Sequence, residues 1–539
     1  MAVVNATQNS KSVADPIATY MSMRPIWGRN RAALSGDRFV KDYDGLIDVV
    51  SFSNLLIPFS PSMSQTQYDF YKAEAEFPGI ISQYARMLIG GLLRKQPTLK
   101  LPKDAPEEAY QWILRGFGQD SSPITSFLNN ALWEELNTSH AWVYIDYPTI
   151  SEKRKKELLT EDFLKIRPYP VLWGAESVIN WSLASSEDGC QELIRVIVRN
   201  YEEDYSRNEF HCDYIDTVWV HELDTDGYYQ IRKYQKPVQD SSIAVVSGRI
   251  QQNYDVGAGS GTANSANDTN SVFSLVETII DIESHGERLR MIPAWPLSGN
   301  YDIVEPVLSA LVDREIALYN KISRRNHLLY GAATYTPVVS SNMSDEEFES
   351  VVEGGLGSWI HLQQGDTATV LPTPNDALAD MDRAIASSMA EMAKMGLRML
   401  TPEVAQSGVA LDIRNAAQSA QLGSMNTCIS NQMTDIIAHM LNRRYGTKYT
   451  SQDVKFEMSS DFNPTPVGEV WLRLVTEWYE TGKIPRSIWL QIAKQNDIIP
   501  PDYDDLLGQE EVNNSDLQTI VKQDNLKEAA IALAEEGDA

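Results

Sequence analysis

The chain has 539 residues, about 3.6 times the ~150 of a typical domain, which points to several domains or one elongated multi-part subunit. Its composition, 43% hydrophobic and 22% charged with 12 Trp and 24 Tyr, excludes a disordered or low-complexity protein. Lysine and arginine number 46 against 74 aspartates and glutamates, a net charge of −28, which excludes a protein that coats nucleic acid or an anionic membrane through a general basic face.

Between Glu76 and Leu93 the residues Ile80, Ile81, Tyr84, Met87, Leu88 and Leu92 recur at helical spacing, and Pro97 closes the segment. Two more helices are predicted at Pro106 to Phe117 and Ser122 to Thr138, with Ser122 as N-cap and Pro123 at the first position of the second. The pattern then turns to strands: Ala141 to Tyr147, Leu193 to Arg199, Thr217 to Leu223 and Tyr228 to Tyr234 are rich in β-branched and aromatic residues, and Asp224 to Gly227 is a hairpin signal. A mixed or antiparallel sheet is expected there. Gly248 to Asn270 is a run of Gly, Ser, Asn, Ala and Thr too polar to pack, and is expected to be a long exposed loop.

Further strands are predicted near Val272 to Ile282 and Leu289 to Ile292, followed by a long helix from about Asp302 to Leu328 with Val304, Val307, Leu308, Leu311, Val312, Leu318, Tyr319 and Ile322 on one broad face. Gly331 to Pro374 reads as a compact unit of strands around an acidic helical stretch. Asn375 to Met399, with a methionine stripe, and Leu411 to Arg444 are helical, separated by the short loop Leu400 to Ala410. The C-terminal part holds the strand-like VKFEM, a proline-containing break and helices at Val467 to Thr481, Pro485 to Asn496 and Leu517 to Glu535. The fold class expected is α+β.

The motifs of chemistry are missing. No glycine-rich loop carries the lysine and hydroxyl that cradle nucleotide phosphates, and Gly257, Gly259 and Gly261 fail the dinucleotide spacing. Asp224, Asp226 and Gly227 lack the later carboxylate of a calcium loop. The histidines, His140, His211, His221, His285, His327, His361 and His439, include no helical i, i+4 pair, so no zinc site is expected. His211 beside Cys212 invites a base and nucleophile pairing, but neighbouring strand residues point to opposite faces. Cys190, Cys212 and Cys428 show no metal-ligand or disulfide spacing and fit a reducing compartment. The first thirty residues lack a signal-like apolar core, and no stretch approaches the ~20 apolar residues of a membrane span. Neither secretion by a cleaved signal nor membrane insertion is expected, and no catalytic residue, metal or cofactor is assigned.

The order of a long helix, a compact α/β insert, a returning helix, a short loop and a very long helix resembles the portal proteins of tailed bacteriophages. The segments that carry the resemblance are AWPLSGNYDIVEPVLSALVDREIALYNKISRRNHLLYGAATYTPVV (Ala294 to Val339) and GSWIHLQQGDTATVLPTPNDALADMDRAIASSMAEMAKMGLRML (Gly357 to Leu400), with support from PGIISQYARMLIGGLLRKQP and AWVYIDYP. They are similar to a portal-like family long carried as a domain of unknown function, over roughly Phe77 to Asp461.

This resemblance implies a twelve-subunit ring at one capsid vertex of a virion, assembled in the host bacterial cytoplasm, through which a separate terminase motor threads double-stranded DNA without sequence preference. The implied partners are further copies of the chain, the terminase large subunit, the head-to-tail adaptor, the major capsid protein and the scaffold, and no membrane. Residues 1–300 would form a mixed α/β wing, 301–328 the first stem helix, 329–374 the clip, 375–399 the second stem helix, 400–410 the tunnel loop, 411–466 a crossing helix with the return to the wing, and 467–539 a helical crown.

Carried over by position, Lys394, Arg398, Thr401, Glu403, Gln406, Ser407 and Gly408 would lie at the channel and tunnel loop. Asp345, Glu346, Glu347, Glu349 and Glu353 would form a negative annulus on the clip, facing terminase and adaptor. Leu311, Met389 and Met392 would lie at the subunit interface, and the helices around Leu311 and Met389 would expose apolar surface in a monomer that only neighbours cover. An acidic subunit suits a conduit, because each phosphate neutralised by a cation adds affinity and hence friction. Two other classes compete: another virion component such as a minor head protein, and an intracellular hydrolase using acidic residues with His211 or His221.

Overall fold

The computed structural model describes residues 12–41, 55–148, 166–185, 189–205, 210, 212–236, 273–280, 283–284, 287–333, 336–340, 344, 367–371, 375–395, 408–459 and 469–495. The chain divides into two compact units, Met1–Ser460 and Asp461–Ala539. The first is a mixed α/β assembly with antiparallel sheets.

It begins with α1 (Ala18–Ser35), α2 (Asp37–Lys41), α3 (Gln65–Glu74) and α4 (Ile80–Leu92), followed by the short strand β1 (Thr98–Lys100), α5 (Glu107–Arg115) and α6 (Ile124–Thr138). Ser64 opens α3 with a reciprocal capping box, its hydroxyl accepting from the Gln67 amide while the Gln67 side chain accepts from the Ser64 amide. Gly79, at φ 65°, turns the chain into α4 through a left-handed conformation that a Cβ would strain. The expected N-cap of α6 is corrected: Pro123 is the capping residue and Ser122 makes no cap bond to the helix. Ser122 instead lies in the preceding turn, its amide donating to Asp120 and its carbonyl accepting from Gly118.

Strands β2 (Trp142–Asp146), β3 (Tyr169–Trp173) and β11 (Ala294–Pro296) form a three-stranded sheet in the order β11-β2-β3. Trp142, Val143 and Ile145 on β2 are fully buried, as befits a central strand covered on both faces. The larger sheet has five antiparallel strands in simple succession: β4 (Val178–Ser185), β5 (Gln191–Asp204), β6 (Asp213–Leu223), β7 (Tyr229–Gln235) and β8 (Ser274–Ile279). Period-two alternation splits its apolar residues between two cores. Val196, Val198 and Ile231 pack with Trp142 and Tyr229, whereas Ile197, Val218 and Val220 pack against Tyr20 and Trp27 of α1. At the β6–β7 turn Asp224 accepts from the amides of Asp226 and Tyr228, and Gly227 adopts φ 79°. Two-residue strands β9 (Glu283–Ser284) and β10 (Glu287–Arg288) pair with each other.

Beyond β11 the unit becomes elongated helix: α7 (Ser309–Ala333), the hairpin β12 (Thr336–Ser340) with β13 (Thr367–Leu371), α8 (Asn375–Lys394), and the 38-residue α9 (Gly408–Tyr445). Strand β14 (Lys455–Glu457) then pairs with β1, bringing the end of this unit back to its beginning. Helix α7 starts at Ser309 rather than the expected Asp302, because Pro306 holds the chain before it extended.

The second unit contains α10 (Glu469–Glu480) and α11 (Arg486–Gln495). Gly482, at φ 72°, ends α10 with bonds from the amides of Lys483 to the Trp478 carbonyl and Gly482 to the Tyr479 carbonyl, a Schellman pattern. The rings of Tyr479 and Trp489 stack at 5.4 Å, and Val475, Leu490 and Ala493 are buried.

Candidate functional site

The element set with the most distinctive geometry is the pair α7 and α8, joined by the β12–β13 hairpin and followed by α9. Helix α7 is wedged into the N-terminal helices. Its buried residues Leu311, Val312, Leu318 and Tyr319 recur at i, i+1, i+7 and i+8, the stripe of a helix half embedded in a core. Polar contacts fix its rotation and height. Asp313 pairs with Arg29 of α1 at 2.8 Å. Glu315 accepts from the amide of Ile80 at 2.5 Å and of Ile81 at 3.3 Å. Asn320 accepts from the Ile57 amide at 2.7 Å and donates to the Leu55 carbonyl at 3.1 Å.

Glu315 is fully buried. Desolvation pushes its carboxyl up to about 7, with the two α4 amides pulling the other way. Near the C-terminal end of α7, His327 packs against Phe59 at 4.9 Å and Tyr71 at 5.2 Å, and its Nδ1 lies 3.8 Å from Glu74 of α3. Burial raises the Tyr71 phenol to about 12 and Tyr319 further.

Helix α8 runs antiparallel along α7. Arg314 pairs with Glu391 at 3.2 Å, Lys321 donates to Ser388 at 2.5 Å and Arg325 pairs with Asp382 at 2.8 Å, so ascending positions on α7 meet descending positions on α8. Leu378, Met381, Ile385 and Met389 are half-buried and Met392 fully buried, while Asp380, Asp382, Arg383, Ala386 and Glu391 are exposed. The methionine stripe is therefore the seam with α7. Hairpin β12–β13 pairs Thr336 with Leu371 through to Ser340 with Thr367, so the chain turns back on itself between the two helices.

Helix α9 is anchored through its C-terminal half. Ile429, Met433, Ile436, Ile437, Met440 and Leu441 are buried. Arg443 donates to the carbonyl of Ile145 at 3.3 Å and lies over the Tyr147 ring, and His439 meets the edge of Trp295 at 5.2 Å. Ser430 and Thr434 accept from the amides of Met458 and Phe456. Helix α9 is thus attached to β2, β11 and β14 together.

Several expected site residues find places here. Leu311 is 6% exposed, so at this position the expected exposed apolar surface is corrected, and Met392 is fully buried within the chain. Met389 is half-buried on the same seam. Lys394 is the last residue of α8 and Gly408 the first of α9, which puts them at the two ends of the connection between these helices. Arg398, Thr401, Glu403, Gln406 and Ser407, the acidic set Asp345, Glu346, Glu347, Glu349 and Glu353, the loop Gly248 to Asn270, the helix Leu517 to Glu535 and His211 lie outside the described residues.

His221 and Asp224, two of the residues weighed for other chemistry, have structural partners. His221 is buried within the sheet, its Nδ1 2.6 Å from the Tyr229 hydroxyl, and burial lowers its imidazole to about 3. Asp224 satisfies turn amides and the Arg288 side chain. Among the described residues no group of three or more His, Cys, Asp or Glu is placed to hold a metal, and no helix is long and apolar enough to cross a membrane. Sequence reasoning missed Glu315 and Asn320, whose roles depend on backbone more than 200 residues away; an acid and an amide on the inward face of an otherwise apolar helix were the available signal.

Residues 307–443, from just before α7 almost to the end of α9, match the family model described as "Domain of unknown function (DUF4055)". No curated protein matches the chain. Two solved structures superpose loosely: a chain of the virion of a native gene transfer agent particle, at 8% identity and TM-score 0.32 over 78% of this chain and 90% of that one, and a chain of the neck of an empty gene transfer agent particle, at 9% identity and TM-score 0.30 over 77% and 88%.

Proposed function

We propose that this chain is a portal-like virion subunit, one copy of a ring at a capsid vertex through which double-stranded DNA enters and leaves. The observation that carries this reading is the succession of α7, the β12–β13 hairpin and the antiparallel α8, followed by a 38-residue helix attached to the sheet region. It is the order of elements expected of a stem, a clip, a returning stem helix and a crossing helix, and the matched residues 307–443 overlap both segments that carry the resemblance. The physical chemistry agrees. A net charge of −28 keeps phosphates from being held along a passage.

In this role the ring holds twelve copies and has no catalytic activity of its own. The β12–β13 region meets the terminase large subunit and later the head-to-tail adaptor, while capsid protein and scaffold surround the ring. The connection from Lys394 to Gly408 approaches the DNA.

Light scattering with negative-stain imaging of the purified full chain tests this. Twelve copies of 60.5 kDa come to about 0.73 MDa, and the expected particle has that mass, rotational symmetry and a central hole. A compact dimer or tetramer without a channel, in the presence as well as the absence of scaffold, would overturn the ring and favour a minor head protein.

A further inference from the structure

We infer that His327 and Glu74 form a proton-operated clamp between the C-terminal half of α7 and helix α3, closed when the imidazole is protonated and open when it is neutral. Glu74 is the last residue of α3, and His327 lies in the final two turns of α7. The imidazole Nδ1 stands 3.8 Å from a carboxylate oxygen of Glu74, about 1 Å too far for a hydrogen bond. Both facing atoms are withdrawn from water and have no hydrogen-bond partner among the described residues. The ring is held by Phe59 at 4.9 Å and Tyr71 at 5.2 Å between ring centres, so it is already presented to the acid. Each side chain keeps 28% of its surface open, which lets protons reach the pair from solvent. A neutral imidazole has one N–H to place on either nitrogen, and nothing obliges it to face Glu74; the imidazolium carries N–H on both and a charge opposite to the carboxylate. Taking up one proton from solvent therefore supplies the donor that the buried oxygen lacks, and the bond formed is of the strong charge-assisted kind.

Few other charges face the imidazole. Helix α3 brings Tyr71, which burial keeps neutral by raising its phenol to about 12, and Tyr68, whose hydroxyl donates to the Leu56 carbonyl. Asp69 and Lys72 lie at least 100° around α3 from Tyr71 and from Glu74. The segment 55–63, which carries Phe59, has no ionisable side chain. On α7 itself Arg324, one turn earlier, is a cation that competes with the proton for Glu74, yet its Nε has no hydrogen-bond partner among the described residues. Helix α8 contributes Asp382, which is paired with Arg325. The carboxylate of Glu74 is thus the acceptor placed for the imidazolium. Helix α7 runs on into β12, so clamping its last turns to α3 fixes how the β12–β13 hairpin leaves the N-terminal helices, and opening the clamp frees those turns. The clamp is a property of the single chain and does not depend on the ring proposed above.

Hydrogen exchange read by mass spectrometry on the full chain tests this, at pH 5.5 and pH 8.5, for wild type, His327→Gln and Glu74→Gln. After correction for the intrinsic pH dependence of exchange, wild-type peptides covering 323–333 are expected to gain about threefold to fivefold protection at pH 5.5, the range that a partly exposed ion pair supports. Either substitution is expected to remove the gain. Glu315, which also titrates, lies about 18 Å away along α7 and is present in all three proteins, so its effect cancels in the comparison. The same gain in wild type and both variants would overturn the clamp. A gain that survives Glu74→Gln and is lost only in His327→Gln would overturn the pairing, since the histidine would then answer to another acceptor. Where one variant fails to fold the other decides, and where both fail the wild-type profile does: no gain at 323–333 overturns the clamp, and a gain confined to those residues and α3 upholds it.

Discussion

A carboxylate oxygen of Glu315 lies 2.5 Å from the backbone amide of Ile80, so a side chain of α7 closes the N-terminus of α4 across 235 residues of sequence. The α4 amides would otherwise be among the unpaired donors that begin every helix. Here they are buried and need an acceptor, and α7 brings one.

The same carboxyl makes stability depend on pH. Burial lifts Glu315 from 4.5 to about 7, above its unfolded value, so the fold favours the protonated form. That contribution is complete below about pH 4.5 and is lost as the pH rises through about 7, a swing of about 3 kcal/mol for one such group. Glu315→Gln keeps an acceptor for Ile80 and cannot ionise. Melting curves at pH 5 and pH 8 should show the wild type losing more stability across that interval than the variant; equal losses would mean that Glu315 is not the group responsible.

His439 gives the opposite slope. It is buried beside Trp295, its Nε2 has no hydrogen-bond partner among the described residues, and burial followed by the charge of Arg443 lowers it to about 3. A histidine whose folded value is depressed favours the neutral form, so its contribution is present above the unfolded value near 6.5 and is lost as the pH falls. His439→Phe removes an unsatisfied polar atom while keeping a ring against Trp295. The variant should melt at least as high as wild type at neutral pH and clearly higher at pH 5, which differential scanning calorimetry would read directly.

The helices named from periodicity, α4 to α9, were legible because each buries one stripe, and the β6–β7 hairpin was legible in Asp224 to Gly227. Helix α1 was not. It contains Pro25 and Gly28, and its buried residues, Tyr20, Trp27, Asn30, Ala32, Ala33 and Leu34, fall at irregular spacing, with Trp27 donating to the Thr138 carbonyl and Asn30 to Asn137 and Ser309, so no apolar period marks it. Strand β3 hides behind Pro168 and Pro170, and its pairing with β2 supplies what its propensity lacks. The seam of the candidate site could be read as a methionine stripe but not assigned: Met392 facing α7 rather than a neighbour depends on the register that Arg314, Lys321 and Arg325 set.

That register is marked by ion pairs and held by packing. The Arg325–Asp382 pair is partly exposed, at 33% and 56%, and pairs of this kind contribute about 1 kcal/mol or less. Met392 is fully buried, and its truncation to alanine costs about 2–5 kcal/mol. Denaturant titration should rank Met392→Ala well below Arg325→Ala in stability. The reverse order would show that the helices are joined mainly by charge.

The connection between α8 and α9 carries the most direct functional expectation. Lys394 ends α8 and Arg398 follows four residues later, on a chain with an excess of 28 negative charges. In the ring proposed above, two cations on this connection would centre a duplex through its phosphates, and two contacts add little friction where many would stall transport. Lys394→Ala combined with Arg398→Ala should leave ring mass and symmetry unchanged and reduce the yield of packaged DNA, with the deficit largest at low salt and shrinking as salt rises, because salt screens the wild-type contacts that the variant already lacks. Packaged DNA equal to wild type at every salt concentration would take both residues out of the passage, and a loss of rings would assign them to assembly instead.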